Sequence, residues 1–398
     1  MISMRSRGKR AAALLVDRAL ALAARPWTTH RASARWPTHP RVLLIRCDHI
    51  GDAAMATAVV EPLRRSLQPS RLDALVGPWA APLFDGDAAF DRVIAYATPW
   101  WLAARGASRL AQADAWRRLP ALINTLRAEH YDIAIDLRGD LRQILFFLVF
   151  GGAPVRVSSD RTGGRELLTH VARYDATRHE VEHEMAIVET LGVEMPGGGA
   201  TLALGTLPPL PPETESRLAA HEGSGGLMVL ALRGTDQNRE WPAEQAAALV
   251  DRAAKELGLA TVLVGGPRDV AIGPTVAVHA RAPLLDLTGG LTLRQVAALC
   301  RRATVTVAVD SGPMHVAVAA GGAVVGLFGI GDPRRIGPWG ARTAIATVGA
   351  PCGCTPPTCR YTDGPGRCMR DLTPEIVMRA VRSVASGCGA DATKRQPG

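Results

Sequence analysis

The feature of this sequence that most limits its fold is an alternation of short apolar runs with helix-like stretches. The first series begins at Arg41–Arg46 (RVLLIR) and continues at Leu72–Val76, Arg92–Tyr96, Ile133–Leu137 and Val155–Val157, with a helical pattern over 52–67 after the first run. Short runs rich in β-branched residues are typical of strands that are buried on both faces of a parallel sheet. Strands that alternate with helices therefore predict an α/β domain with helices on both faces.

A second series predicts another domain of the same class in the C-terminal half. Its strands are predicted at Leu227–Leu232, Ala260–Val264, Thr304–Val309 and Ala323–Phe328, and its helices at Pro242–Leu257, Leu293–Arg302, Pro313–Ala320 and Pro374–Ser386. The proline-rich segment between the two series indicates a domain boundary. We therefore predict a basic extension (1–40), an N-terminal domain (41–206), a linker (207–226), a C-terminal domain (227–372) with a Cys-rich loop (351–370), and a C-terminal helix and tail (373–398).

The positive charge of the chain is concentrated at its N-terminus. The net charge is +9, and residues 1–40 hold eight Lys or Arg residues and a single acid, Asp17. A tail of this kind binds a polyanion such as anionic lipid, or it is a solvated extension, and both interpretations stay open. A nucleic-acid partner is not expected, because the basic excess is confined to one tail.

Neither a transmembrane helix nor a disulfide framework is expected. The sequence has no run of 18 apolar residues, and its first apolar run is interrupted by Asp17 and Arg18. The seven cysteines are an odd number and accompany no evident secretion signal. We therefore expect a cytoplasmic protein, with the basic tail as a candidate contact with the inner membrane.

The first candidate site follows the first strand. Asp48, His49, Ile50, Gly51 and Asp52 lie where that strand gives way to a helix. Ligands of doubly wound sheets bind at the carboxyl ends of the strands, and glycine allows the backbone to approach a ligand closely. A carboxylate in the first helical turn is favoured in its charged form. Asp52 is therefore a candidate general base, or simply a helix cap.

Three further strand-end loops carry candidate anion contacts. The first, after Leu232, includes Thr235 and Arg239, whose guanidinium suits a diphosphate, or it is a surface loop with an Arg–Glu pair. The second contains Gly266 and Asp269, a carboxylate suited to a ribose hydroxyl, although Gly-Gly-Pro is also an ordinary turn. The third opens a helix with Asp310, Ser311, Gly312 and His315, where free helix amides form an anion site. Neither a Walker A motif nor G-x-G-x-x-G is present in these places, which disfavours a P-loop NTPase or a standard dehydrogenase.

Four cysteines lie close together near the C-terminus. Cys352, Cys354, Cys359 and Cys368 have the spacing C-x-C-x4-C-x8-C. Four thiols within one loop could hold a structural zinc ion, although C-x-C is tighter than the usual zinc spacing. Reduced thiols that pack the loop are the other interpretation.

Taken together, these segments resemble glycosyltransferase family 9, the ADP-heptose:lipopolysaccharide heptosyltransferases. The strongest parts are RVLLIRCDHIGDAAMATAVVEPLRR at 41–65 and VDSGPMHVAVAAGGAVVGLFGIGDPRRIGPWG at 309–340, supported by REWP at 239–242 and GGPRD at 265–269. The resemblance spans about residues 40–386. It implies a GT-B fold, in which two Rossmann-like domains face each other across a cleft.

The resemblance also implies an inverting, metal-independent transfer of heptose from ADP-heptose to a lipid-linked glycan, without a catalytic cofactor. Asp52 then corresponds to the catalytic base. Arg239 stands where the family usually has a lysine on the diphosphate, and Asp269 where it usually has a glutamate on the nucleoside. The donor site would also include the four residues Asp310, Ser311, Gly312 and His315.

The acceptor side is less defined by the sequence. Arg138 and Arg142 follow the strand Ile133–Leu137 and are candidate contacts for an anionic core sugar, or the start of a solvated helix. Two alternatives to heptose transfer stay open. One is a family relative that uses another nucleotide sugar, and the other is a non-catalytic polyanion or glycolipid binder with the same fold.

Overall fold

In a computed structural model, the chain is described over residues 36–196, 200–234, 237–348 and 366–387. It divides into two compact units, Met1–Ala200 and Thr201–Gly398. Each unit contains one six-stranded sheet in which every pairing is parallel. The predicted α/β class, with two Rossmann-like parallel sheets, is confirmed. No helix in these ranges is both long enough and apolar enough to cross a membrane.

The first sheet has the strand order β3-β2-β1-β4-β5-β6. Its strands are β1 (Arg41–Arg46), β2 (Arg71–Val76), β3 (Arg92–Ala95), β4 (Ile133–Asp136), β5 (Val155–Ser159) and β6 (His170–Ala172). The helices that connect them are Ile50–Met55, Val60–Leu67, Pro99–Ala104, Arg109–Ala128, Leu141–Gln143 and Glu180–Glu189, with a π-helix at Ile144–Val149. The π-helix buries Phe147 and Leu148.

The second sheet has the order β12-β11-β10-β7-β8-β9. Its strands are β7 (Leu227–Ala231), β8 (Ala260–Leu263), β9 (Leu284–Asp286), β10 (Val305–Val309), β11 (Val324–Phe328) and β12 (Thr343–Thr347). Its helices are Pro212–His221, Ala243–Leu257, Ile272–His279, Leu293–Arg302, Gly312–Ala319, Pro333–Ile336, Arg367–Arg370 and Pro374–Ala385.

Both sheets have the same topology. Counted from its own first strand, each follows the order 3-2-1-4-5-6, so the direction of winding reverses beside the first strand. In open α/β sheets this reversal opens a crevice at the carboxyl ends of the strands, where ligands bind. The crevices are therefore expected after β1 and β4 in the first unit, and after β7 and β10 in the second.

The segment 207–226, predicted as a linker, contains the helix Pro212–His221, which lies in the second unit. That unit begins earlier, because the backbone N–H of Leu204 donates to the Ala319 carbonyl (2.9 Å). The Arg294 guanidinium also donates to the Thr206 carbonyl. These contacts attach residues 204–206 to two helices of the second unit.

The helix predicted over 52–67 is two helices separated by a 3-10 turn at Ala56–Val59. Thr57 lies in that turn, and its hydroxyl donates to the Ala54 carbonyl at 2.6 Å. A threonine hydroxyl that bonds back to the preceding turn competes with the regular helical pattern. The break therefore has a local cause.

Trp241 anchors the C-terminal segment of the second unit. Its side chain is 2 % exposed and packs in the core with Met369, Leu372 and Val377. The indole Nε1 donates to the Leu372 carbonyl at 2.9 Å. One side chain thus joins the loop that follows β7 to residues just before the last helix.

We expect Trp241→Phe to lower the free energy of unfolding by about 2–4 kcal/mol, because it leaves a cavity and an unpaired buried carbonyl. Val278→Ala is the control, since that side chain in the same unit is 82 % exposed and should change stability by less than about 0.5 kcal/mol. Urea unfolding followed by circular dichroism measures both. Equal stability of the two variants would contradict the anchoring role.

Candidate active site

Asp52 lies beyond the carboxyl end of β1, in the first turn of the helix Ile50–Met55. One carboxylate oxygen accepts a hydrogen bond from the backbone N–H of His49 at 2.9 Å, so Asp52 does cap its helix. The adjacent Gly51 is buried in the helix. The Asp52 side chain is 19 % exposed, which leaves part of the carboxylate open to a ligand.

The second oxygen of Asp52 accepts from the guanidinium of Arg46, the last residue of β1, at 3.2 Å. The Arg46 side chain is 3 % exposed, and it also donates to the Leu137 carbonyl. Burial opposes ionisation of Asp52, but Arg46, His49 and Arg138 outweigh it and lower its pKa to about 2. Asp52 is therefore ionised throughout the neutral range.

Other carboxylates near Arg46 behave differently. Asp48 and Glu184 are almost fully buried, and each has an oxygen within 3.5 Å of an Arg46 nitrogen. Burial raises the pKa of Asp48 and of Glu184, although Arg46 opposes that rise in both. Arg46 thus helps to hold Asp52 charged, whereas burial favours protonation of Asp48 and Glu184. Glu184 comes from the distant helix Glu180–Glu189, and the sequence offered no signal for its role.

The two predicted acceptor residues differ in position. Arg138 pairs with Asp48, lowers the pKa of Asp52, and lies over the Trp101 ring at 5.6 Å. Arg142 forms a two-point contact with Asp140 and lies 5.3 Å from the centre of the Trp100 ring. The structure therefore brings Arg138 into the Asp52 cluster and leaves Arg142 beside it.

Two half-buried tryptophans lie next to this cluster, and sequence reasoning missed both. Trp101 contacts His49 edge to face, with ring centres 4.5 Å apart, and stacks on Trp79 at 5.8 Å. The Trp79 indole donates to the Asp48 carbonyl. Trp79 follows β2 and Trp101 follows β3, so an aromatic residue shortly after a predicted strand was the available signal.

In the second unit, the predicted anion site lies between β10 and the helix Gly312–Ala319. Ser311 is the N-cap residue in an extended conformation, and its hydroxyl donates to the Val309 carbonyl rather than capping the helix. The N-terminal amides are thus not occupied by this side chain. Gly312 is the first helical residue, and His315 is buried within the first turn.

Arg239 reaches the same place from the loop after β7. Its guanidinium contacts the Asp310 carboxylate at 2.9 Å and donates to the Asp310 carbonyl at 3.1 Å. The buried Nε of Arg239 has no hydrogen-bond acceptor among the described residues. Arg239 and Asp310 therefore belong to one site, and the Arg239 side chain remains 21 % exposed there.

Asp269 lies in the loop after β8, where its carboxylate accepts from the Gly266 N–H at 2.8 Å. Asp269 is also close enough to Glu240 to affect its pKa. Burial is the main cause that raises the pKa of Glu240, the Arg233 guanidinium lowers it, and the Asp269 carboxylate raises it further. Asp269 thus stabilises its own loop and also lies near the β7 loop. Thr235 falls outside the described residues.

The cysteine cluster falls largely outside the described residues, which include Cys368 but not Cys352, Cys354 or Cys359. Cys368 is buried, and its sulfur lies against Gly329. Within the described ranges no group of three or more His, Cys, Asp and Glu residues could hold a metal ion. The zinc site and the reduced-thiol packing both remain predictions.

Comparison with known proteins identifies the family. The sequence profile of glycosyltransferase family 9 (heptosyltransferase) matches residues 119–361. Lipopolysaccharide heptosyltransferase 3 of Escherichia coli K12 is 24% identical over 299 residues, which are 73% of this chain and 82% of that protein.

Solved structures share the fold. ADP-heptose lps heptosyltransferase II of E. coli has a TM-score of 0.65 at 20% identity, covering 87% of this chain and 98% of that one. E. coli heptosyltransferase WaaC with ADP has a TM-score of 0.64 at 20% identity, and the match covers 86% of this chain and 99% of that one. The glycosyl transferase family 9 protein of Veillonella parvula has a TM-score of 0.67 at 21% identity, and the match covers 87% of this chain and 97% of that one. The chain therefore belongs to glycosyltransferase family 9 and is a glycosyltransferase.

Proposed function

We propose that this enzyme transfers a heptose from ADP-heptose to a lipopolysaccharide core or a related lipid-linked glycan, with inversion and without a catalytic metal ion. Family membership and the heptosyltransferase relatives support the sugar, and the solved relative with bound ADP supports the nucleotide. Arg239 and Asp269 replace the lysine and glutamate expected at these positions. A different nucleotide sugar is therefore the alternative donor.

The observation that carries the proposal is the Asp52 carboxylate. It is ionised, partly exposed, and held by Arg46 and the His49 N–H at the reversal of strand order in the first sheet. In the proposed reaction Asp52 takes the proton from an acceptor hydroxyl as its oxygen attacks the anomeric carbon. The bond from that carbon to the diphosphate breaks, and ADP leaves from the opposite face with the electron pair.

The second unit would bind the leaving group. The Arg239 guanidinium and the amides of the helix that begins at Gly312 provide donors for the charge that grows on the diphosphate. Asp269 is proposed at the nucleoside, and Asp310, Ser311 and His315 at the phosphates and sugar. Thr235 and Gly266 are proposed as supporting loop contacts.

The first unit would bind the acceptor. Arg138, with Arg142 next to it, suits an anionic group on the glycan. The exposed faces of Trp79 and Trp101 suit the C–H groups of a sugar ring, because aromatic faces carry negative partial charge. We also propose that the basic residues 1–40 hold the enzyme at the cytoplasmic face of an anionic membrane, where about 1 kcal/mol per basic residue is expected.

We expect Asp52→Asn to lower kcat for heptose transfer by at least about 10²-fold, because the amide cannot accept the proton. Binding of ADP-heptose should change by less than about twofold, since Asp52 serves the acceptor. Steady-state kinetics with ADP-heptose and a purified acceptor glycolipid, together with calorimetric titration of ADP-heptose, measure these quantities.

Asp85→Asn is the matched control, because Asp85 is an exposed carboxylate of the same unit. It should behave as wild type. Transfer by Asp52→Asn at the wild-type rate would exclude Asp52 as the base. If wild type transfers a sugar from another nucleotide donor but not from ADP-heptose, the donor assignment is wrong and the base assignment stands.

We expect no acid limb from Asp52 in the pH dependence of kcat/KM between pH 5 and 8. Its pKa is lowered to about 2, so the active ionised form is lost only as the pH falls towards that value. Initial rates over this range, for wild type and for the residual activity of Asp52→Asn, test this. An acid limb near pH 6 that disappears in the variant would contradict it.

We expect Arg239→Ala to weaken ADP binding by about tenfold or more, the range for a lost hydrogen bond to a charged group. Arg239→Lys should recover part of the affinity, because it keeps the charge but not the two-point geometry. Calorimetry with ADP measures both, and Arg281→Ala, an exposed arginine of the same unit, is the control. Unchanged affinity in Arg239→Ala would remove this residue from the donor site.

A further inference from the structure

A cluster of aromatic side chains reaches the surface of the first unit between the helix Arg109–Ala128 and the π-helix. We call Trp100, Trp116, Phe146 and Phe150 the aromatic patch. Trp116 is 49 % exposed and Phe150 is 38 % exposed, whereas Trp100 is buried below them. Large aromatic side chains that are exposed together mark a binding surface more often than exposed apolar residues that are scattered singly.

The aromatic patch is held by contacts among its own rings. Phe146 stacks on Trp100 with ring centres 5.7 Å apart, and it contacts Trp116 at 5.9 Å and Phe150 at 5.8 Å. Trp100 also contacts the fully buried Phe147 at 6.0 Å. The exposed rings are thus supported by the core, which limits the conformational entropy lost when they bind a partner.

Arginines surround the aromatic patch. The sequence from 99 to 128 contains five arginines and a single acid, Asp114, which pairs with Arg117 and Arg118. The side chains of Arg117 and Arg118 are 77 % and 73 % exposed. Arg109 lies two helical turns before Trp116, on the same side of the helix. Arg142 lies over the Trp100 ring, although its charge is paired with that of Asp140. The surface therefore combines exposed aromatic rings with a net positive charge.

We propose that the aromatic patch and these arginines dock the first unit on the surface of an anionic lipid bilayer. Tryptophan is enriched where a protein meets the boundary between hydrocarbon and headgroups, and phenylalanine inserts its apolar ring there. Arginine stems cover apolar surface while their heads reach lipid phosphates. The proposal extends the membrane contact proposed for residues 1–40, but it uses different residues and a folded surface.

The aromatic patch lies beside the candidate base. Trp100 belongs to the patch, and the next residue, Trp101, contacts His49, which precedes Asp52 by three positions. Docking through Trp116 and Phe150 would therefore place the first unit, with its candidate base, at the membrane surface. A lipid-linked acceptor, as in the proposed function, would be presented there.

The test is co-sedimentation of the full-length protein with sucrose-loaded vesicles, without any nucleotide sugar. Vesicles of phosphatidylcholine alone are compared with vesicles made of equal parts phosphatidylcholine and phosphatidylglycerol. Wild type is expected to prefer the anionic vesicles. Trp116→Ala/Phe150→Ala should weaken that binding at least about fivefold. Arg109→Gln/Arg117→Gln should weaken it at least about tenfold, because each basic residue near an anionic surface is worth about fivefold.

The controls remove exposed apolar surface or exposed positive charge from the other unit. Val278→Ala removes an exposed apolar side chain, and Arg281→Gln/Arg379→Gln removes two exposed positive charges. Both are expected to bind as wild type. Circular dichroism and thermal unfolding show whether each variant is folded, and the arginine variant tests the surface without altering any packed ring.

All variants are also measured after deletion of residues 1–38, which separates the tail from the folded surface. Residual binding of the truncated protein to anionic vesicles, lost in the patch variants, supports the proposal. The proposal is overturned if the patch variants bind as wild type in both backgrounds, or if the truncated protein does not bind. Because no donor is present, a wrong donor or base assignment leaves these outcomes unchanged.

Discussion

The buried guanidinium of Arg46 is the interaction on which the candidate site of the first unit depends. It lies within 4.0 Å of carboxylate oxygens from Asp48, Asp52, Glu180 and Glu184, and its side chain is 3 % exposed. Removing one partner of such a buried cluster leaves uncompensated charge and typically costs about 3–5 kcal/mol. The cluster also fixes the end of β1 against the helix Glu180–Glu189. The residue that defines the charge of Asp52 is therefore also part of the core.

The repeated sheet topology explains why the candidate residues occur where they do. In each unit the first and fourth strands lie side by side, so the loops at their carboxyl ends meet. Asp52 and Arg138 follow β1 and β4, and Arg239 and Asp310 follow β7 and β10. Residues that are about 70–90 positions apart in the sequence thus become neighbours in two separate places, one suited to a base and the other to a diphosphate.

The sequence predicted the central strands and the strand-end residues well, because both depend on local patterns. It missed β6, β9 and β12, which are edge strands with neighbours on one side only and therefore lack continuous apolar runs. It also missed Glu184, whose partner Arg46 lies on another element far away in the chain. No periodicity identifies such a pair, since only the packed fold brings the two charges together.

A pKa of about 2 makes Asp52 a weak base in the free enzyme, whereas general bases act best when their pKa lies near the working pH. Glycosyl transfer relaxes this requirement. Its transition state resembles an oxocarbenium ion, so the attacking hydroxyl becomes acidic as its bond to carbon forms. A base that remains ionised and correctly placed then suffices. An acceptor that covers Asp52 would also remove water from the carboxylate and raise its pKa. The Arg46 cluster would thus keep the proposed base charged until the substrate is in place.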